Sequence, residues 1–163
     1  MILSTHIIIG ASVAQLFPDQ PVLAFTAAWA SHYILDSIPH WDYNLQSAQV
    51  DENNKMTDMV INKNFAGDLA KIGLDLLIGS LIVFGLFYQI SSGNSLIILS
   101  GILGGIFPDA LQFVYFKFRH KPFVALKKFH NWCEAKTKIK TVWWGISSQI
   151  LVAVIVIALA KLL

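Results

Sequence analysis

One cysteine in 163 residues, Cys133, excludes an internal disulfide framework and leaves the redox compartment open. Charge is also scarce. Asp, Glu, Lys and Arg make up 13% of the chain against 55% hydrophobic residues, and the mean hydropathy of +0.59 lies outside the ordinary soluble range. The chain has no glycine-rich phosphate loop, no CxxC pair, no nucleophile elbow and no nucleic-acid motif, which removes those chemistries and a nucleic-acid partner. No Lys or Arg precedes the first apolar run and His6 interrupts it. "SVAQ" at Ser12 to Gln15 is therefore read as part of a retained first helix and not as a cleavage site.

Long apolar runs are what the chain does have. They lie at about 2–17, 21–39, 65–90, 96–116 and 141–163, and predict one all-α domain, a polytopic bundle of about five membrane helices. Phe17-Pro-Asp-Gln-Pro21 and Ser91-Ser-Gly-Asn94 read as tight turns. The loops at about 40–64 and 117–140 are longer. The second carries Lys117, Arg119, Lys121, Lys127, Lys128, Lys136, Lys138 and Lys140, so the positive-inside rule makes it cytoplasmic. Counting through the spans then puts the first loop and the N-terminus inside and the C-terminus outside.

Within the basic loop, Phe123, Leu126, Phe129, Trp132 and Cys133 fall near one helical face and lysines largely on another, the pattern of an amphipathic interfacial helix. Lys121, Lys127 and Lys128 would face anionic lipid headgroups; a merely solvated connector is the alternative. Gly67, Gly73, Gly79 and Gly85 on the third run, with Ser100, Gly101, Gly104 and Gly105 on the fourth, predict a close approach of those two helices. Trp143 and Trp144 read as an interfacial belt.

The intramembrane ionisable residues fall at one level in this topology. His6, His32, Asp36 and His40, Asp68 and Asp75, and Asp109 all lie towards the inner ends of their runs, whereas outer stretches such as Leu81 to Ile90 carry no charge. Each would cost about 2.5–3.5 kcal/mol facing lipid, so they are expected to face one another. His32 and Asp36 are four apart and share a helix face, and Pro39 ends that helix before His40 and Asp42. Mixed His and Asp donors suit a divalent metal, zinc first and manganese or iron next. The candidates are His6, His32, Asp36, His40, Asp42, Asp68, Asp75, Asp109 and His130. They outnumber the ligands of one zinc, so either two ions are bound or some carboxylates, Asp75 or Asp42, move protons.

Thr5 with His6, "SHYILDSIPHWD" (Ser31 to Asp42), Gly67 with Asp68, and "GGIFPDALQF" (Gly104 to Phe113) together resemble the bacterial and archaeal inner-membrane proteins called membrane-bound metal-dependent hydrolases. The resemblance covers about the first 130 residues; a more distant one is to zinc-dependent phospholipase C. It implies a metal-dependent hydrolytic site and nominates His6, His32, Asp36, His40, Asp68 and Asp109. The chain departs from the pattern at Pro39-His40-Trp41-Asp42, where histidine and aspartate are arranged differently, so the roles of His40 and Asp42 stay open.

The expectation is an inner-membrane hydrolase acting on an ester or phosphoester of a lipid-like substrate at the cytoplasmic face, with membrane lipids as its surroundings. A metal-ion or proton transporter and a non-catalytic protein stapled by a structural metal are the alternatives.

Overall fold

The computed structural model describes residues 1–50, 57–88 and 94–162. Six helices follow one another: α1 (Leu3–Ala14), α2 (Pro21–Asp36), α3 (Phe65–Phe87), α4 (Ser95–Lys117), α5 (Lys121–Cys133) and α6 (Val142–Leu162). Three of them, α3, α4 and α6, are long and apolar enough to cross a membrane. The other two apolar helices are shorter than the expected runs. At 1.5 Å per residue, the 12 residues of α1 span about 18 Å and the 16 of α2 about 24 Å. The ends of the expected runs at Gln89 and Ile90 and at Leu163, the Ser91 to Gly93 part of the second turn, and Asp51 and Glu52 lie outside the described residues.

Helix α1 is the axis of the bundle, packed by α2, α3, α4 and α6. Its buried residues go all the way round, from His6 and Ile7 to Ile9, Gly10 and Ala11, and such a helix needs little length because it meets no lipid. Ile7 and Ala11 pack with Val83 and Phe87 of α3 and with Ile98 and Ile102 of α4. Ile9 meets Leu35 of α2 and Ala153 of α6. The outer faces of α3 and α6 instead expose Leu74, Leu77, Leu81, Ile150, Leu151 and Val154, a surface suited to lipid.

Small residues set the spacing, though not between the helices expected. A Cβ on Gly101 would come within 2.6 Å of the Ala11 Cα and one on Gly105 within 2.5 Å of the His6 carbonyl oxygen, both on α1; one on Gly104 would meet the Phe25 carbonyl of α2 at 2.4 Å. Gly79 of α3 lies against Ser4 of α1, while Gly67, Gly73 and Gly85 have nothing within 4 Å. The glycines of α4, with Gly79 alone from α3, thus serve the central helix and α2, which a pattern read one helix at a time does not reveal.

The first turn of α1 has no cap of its own, and its free N–H groups are satisfied from neighbouring helices. Leu3 and Ser4 donate backbone hydrogen bonds to the Asp75 carboxylate at 2.7 and 3.2 Å, and Ile2 donates to Gln149 Oε1 at 3.2 Å. Gln149 Nε2 in turn donates to the Trp41 carbonyl at 2.8 Å, which fastens the chain leaving α2 to α6. Replacing Asp75 with alanine is expected to lower stability by about 1–2 kcal/mol, the usual worth of a helix N-cap. Unfolding in detergent and faster hydrogen exchange at the Leu3 and Ser4 amides are the readouts.

The segment after α2, expected as a polar loop, contains a small antiparallel hairpin of β1 (Ala48–Val50) and β2 (Thr57–Met59), in register Ala48↔Met59, Gln49↔Asp58 and Val50↔Thr57. Arg119 pairs with Asp58 and ties the hairpin to the chain between α4 and α5. The expected amphipathic helix of the basic loop is α5. Trp143 and Trp144, at the start of α6, are 81% and 74% exposed.

Candidate metal centre

The polar groups gather at the end of the bundle where α1 begins and α2 ends. His6 comes from α1, His32 and Asp36 from α2, Asp109 from α4 and His130 from α5; His32, Asp36 and His6 are almost fully buried, and Asp109 is partly open. The i, i+4 spacing does what it predicts: His32 Nε2 lies 3.1 Å from Asp36 Oδ2. His130 Nε2 reaches the same spot, 3.2 Å from His32 Nε2 and 3.5 Å from Asp36 Oδ2. Asp109 Oδ1 closes the group, 3.4 Å from His130 Nε2 and 3.8 Å from His32 Nε2. Tetrahedral coordination at a zinc–nitrogen distance near 2.1 Å puts neighbouring ligand atoms about 3.4 Å apart. Those five separations, from 3.1 to 3.8 Å, bracket that figure, and His32 with Asp36 and His130 forms one set of donors in mutual reach and His32 with His6 and Asp109 another.

Hydrogen bonds fix which ring nitrogen carries the proton. His32 Nδ1 lies 2.8 Å from the Gly105 carbonyl, which can only accept, so Nδ1 donates and Nε2 is the atom offered to the cluster. The amide of Gln112 settles His130. Lys127 has donors only and bonds to Gln112 Oε1, so Gln112 Nε2 faces Asp109 Oδ1 at 2.8 Å and His130 Nε2 at 3.1 Å. An amide nitrogen only donates, so the His130 Nε2 lone pair accepts from Gln112 here, and that hydrogen bond would have to give way for Nε2 to ligate an ion. Two imidazoles and two carboxylates gathered in this way are the donor set of a divalent ion, whose charge would also offset the buried carboxylate of Asp36 and the partly open one of Asp109. The rings of His6 and His32 stack at 3.9 Å with a 21° interplanar angle, an arrangement that suits neutral ligand imidazoles and would be repulsive for two imidazolium ions.

The other oxygen of Asp36 serves a second side. His6 Nε2 lies 3.1 Å from Asp36 Oδ1 and His40 Nε2 4.0 Å from it, with the His40 Nδ1 donating to the Ile38 carbonyl at 2.8 Å. The Met1 α-ammonium sits between them, 3.0 Å from Asp36 Oδ1, 2.8 Å from His40 Nε2 and 3.8 Å from Asp42 Oδ2. Asp42 has its carboxyl pushed up to about 6 by burial, against the pull of that ammonium and of Lys138.

Not every nominated residue joins. Asp68 accepts from the Ser47 backbone N–H and hydroxyl, both at 2.7 Å, and from Lys71 at 3.0 Å; it fastens the hairpin segment to α3. Asp75 holds the start of α1. Lys121 and Lys128 are exposed on α5, whereas Lys127 is buried and turned inward. Gln112 was not among the expected residues, although its place three after Asp109 sets both on one face of α4.

A cavity of about 300 Å³ opens beside the cluster. Asp36, Asp109 and His130 form one wall; Asp42, Gln112, Lys127, Glu134 and Lys138 supply further polar groups, and Leu45, Ile72, Phe113 and Phe116 an apolar side. Comparison of the chain with protein-family models, with curated proteins and with solved structures finds no match.

Proposed function

We propose that the protein is a membrane-embedded, metal-dependent hydrolase whose site lies at the cytoplasmic end of a five-span bundle in the inner membrane. The observation that carries this reading is the meeting of His32 Nε2, His130 Nε2, Asp36 Oδ2 and Asp109 Oδ1 beside an open cavity. Four ligands that only stapled helices would be closed off; here Asp109 is partly open on the cavity wall, which leaves room for water or substrate to enter as a fifth ligand. In the five-span reading α1 crosses inside α2, α3, α4 and α6, α2 packs against α1 and α4, and the basic α5 lies along the cytoplasmic interface.

His32, Asp36, His130 and Asp109 would hold the ion, zinc first and manganese or iron next. On the Oδ1 side of Asp36, where His6 and His40 turn their Nε2 atoms, the Met1 ammonium already supplies the positive charge, so a second ion there would have to displace it. When bound, such an ion supplies Lewis acidity that activates water and polarises an ester oxygen.

The chain's own residues do the rest. Gln112 holds Asp109 in place. Asp42, in the cavity wall, is placed to accept the proton of the attacking water and return it to the leaving alkoxide, while Asp75 is engaged with α1. The water oxygen bonds to the ester's central atom as the bond to the alcohol oxygen breaks, so water is consumed and alcohol and acid are released. The apolar side of the cavity suits an amphipathic substrate.

The test is a panel of amphipathic esters and phosphoesters offered to zinc-loaded protein in detergent, beside metal flux in sealed vesicles. Hydrolysis that stops with EDTA and returns with zinc is expected. Flux without hydrolysis would favour transport, and bound metal with neither activity would favour a structural staple. The apolar remainder of the bundle, with no second polar cluster on α3 or α6 among the described residues, argues against a path across it.

A further inference from the structure

Two lysines line the cavity and differ in one respect. Lys138 has its charge matched by Glu134 at 2.8 Å. Lys127 is 6% exposed, its ammonium bonds to the neutral Gln112 amide and lies 5.9 Å from the centre of the Phe116 ring, and no carboxylate among the described residues is within ion-pair distance. Buried lysines are normally paired, because an ammonium taken out of water without a counter-charge is costly. Burial accordingly pulls the ammonium below its ordinary value. Gln112 links this unmatched cation directly to Asp109 and His130.

We infer that Lys127 is the recognition residue for a phosphate group, and that the substrate is a single-chain phosphate monoester whose chain runs along Ile72, Phe113 and Phe116. The inference rests on the hydrolase reading for turnover but on the cavity alone for binding. A phosphate oxygen within reach of Lys127 would supply the missing counter-charge through a charge-assisted hydrogen bond, next to the metal position. A volume of about 300 Å³ is at the small end of ligand cavities and holds a terminal phosphate with a short stretch of one chain. Hydrolysis of such an ester consumes one water and releases the alcohol and inorganic phosphate.

The experiment is calorimetric titration of zinc-loaded, full-length protein with hexyl phosphate and with inorganic phosphate, for wild type, Lys127→Met and Lys127→Arg. Hexyl phosphate should bind the wild type more tightly than inorganic phosphate. Lys127→Met should weaken it about 10- to 100-fold, and Lys127→Arg should restore part of the loss, with zinc content unchanged in both. Equal binding by wild type and Lys127→Met overturns the assignment. Equal affinity for inorganic and hexyl phosphate overturns the monoester and makes free phosphate the ligand.

Turnover separates the two readings. Hydrolysis of hexyl acetate by a wild type that neither binds nor cleaves hexyl phosphate would sink phosphate recognition and keep the hydrolase. Lys127-dependent binding of hexyl phosphate without any turnover would do the reverse.

Discussion

Replacing His32 with alanine is expected to lower metal affinity at least about 100-fold and to remove hydrolysis with it. His32 Nε2 is the atom from which the cluster is built, 3.1 Å from Asp36, 3.2 Å from His130 and 3.8 Å from Asp109. Alanine removes that donor and leaves the Gly105 carbonyl without its hydrogen bond. Alanine in place of His130 and asparagine in place of Asp109 should act in the same direction. His120, exposed between α4 and α5, is the internal control, and its alanine variant should bind metal like wild type. Competition against a chromogenic chelator reads all four, and a His32→Ala variant with unchanged affinity would show that the metal lies elsewhere.

The second large effect concerns the frame that holds these ligands. Gly101→Leu should destabilise the protein by about 3 kcal/mol or more, the upper range for overpacking, because its Cβ alone would lie 2.6 Å from the Ala11 Cα and 2.9 Å from the Gly10 carbonyl oxygen. Backbone on a central helix cannot swing aside as a side chain can. Helix α1 would have to move from α4, and His6 with it. Gly85→Leu on α3 meets nothing within 4 Å and should change stability by only about 0.5 kcal/mol, as ordinary surface substitutions do. Denaturation in mixed micelles compares the two; equal midpoints would contradict the packing account.

The sequence showed the parts of the site that one helix can carry. His32 and Asp36 are legible because a four-residue spacing fixes a shared face, and His6 and Asp109 because ionisable groups in apolar runs must find partners. What depends on two elements meeting was not legible. His130 was among the candidates, but its place in the cluster comes from α5 folding back over the end of α4, and nothing local separates it from the neighbouring interfacial aromatics. Asp68 and Asp75 have the composition of site residues, but they are occupied by Ser47 and by the first turn of α1.

The same limit explains the fold. Runs of apolar residues gave the helices, but not that the shortest would be the axis, nor which neighbours the glycines of α4 would meet. The strands AQV and TDM are three residues each and half polar, too short for an alternating pattern to be read.

The central claim is that His32, His130, Asp36 and Asp109 bind one divalent ion, and X-ray absorption at the metal edge of purified wild-type protein tests it most directly. The account predicts near-stoichiometric metal with nitrogen and oxygen ligands at about 2.0–2.2 Å, including imidazole scattering that diminishes in His130→Ala. Protein that stays metal-free after incubation with zinc, manganese or iron, or a bound ion whose spectrum is identical in His130→Ala, would contradict it.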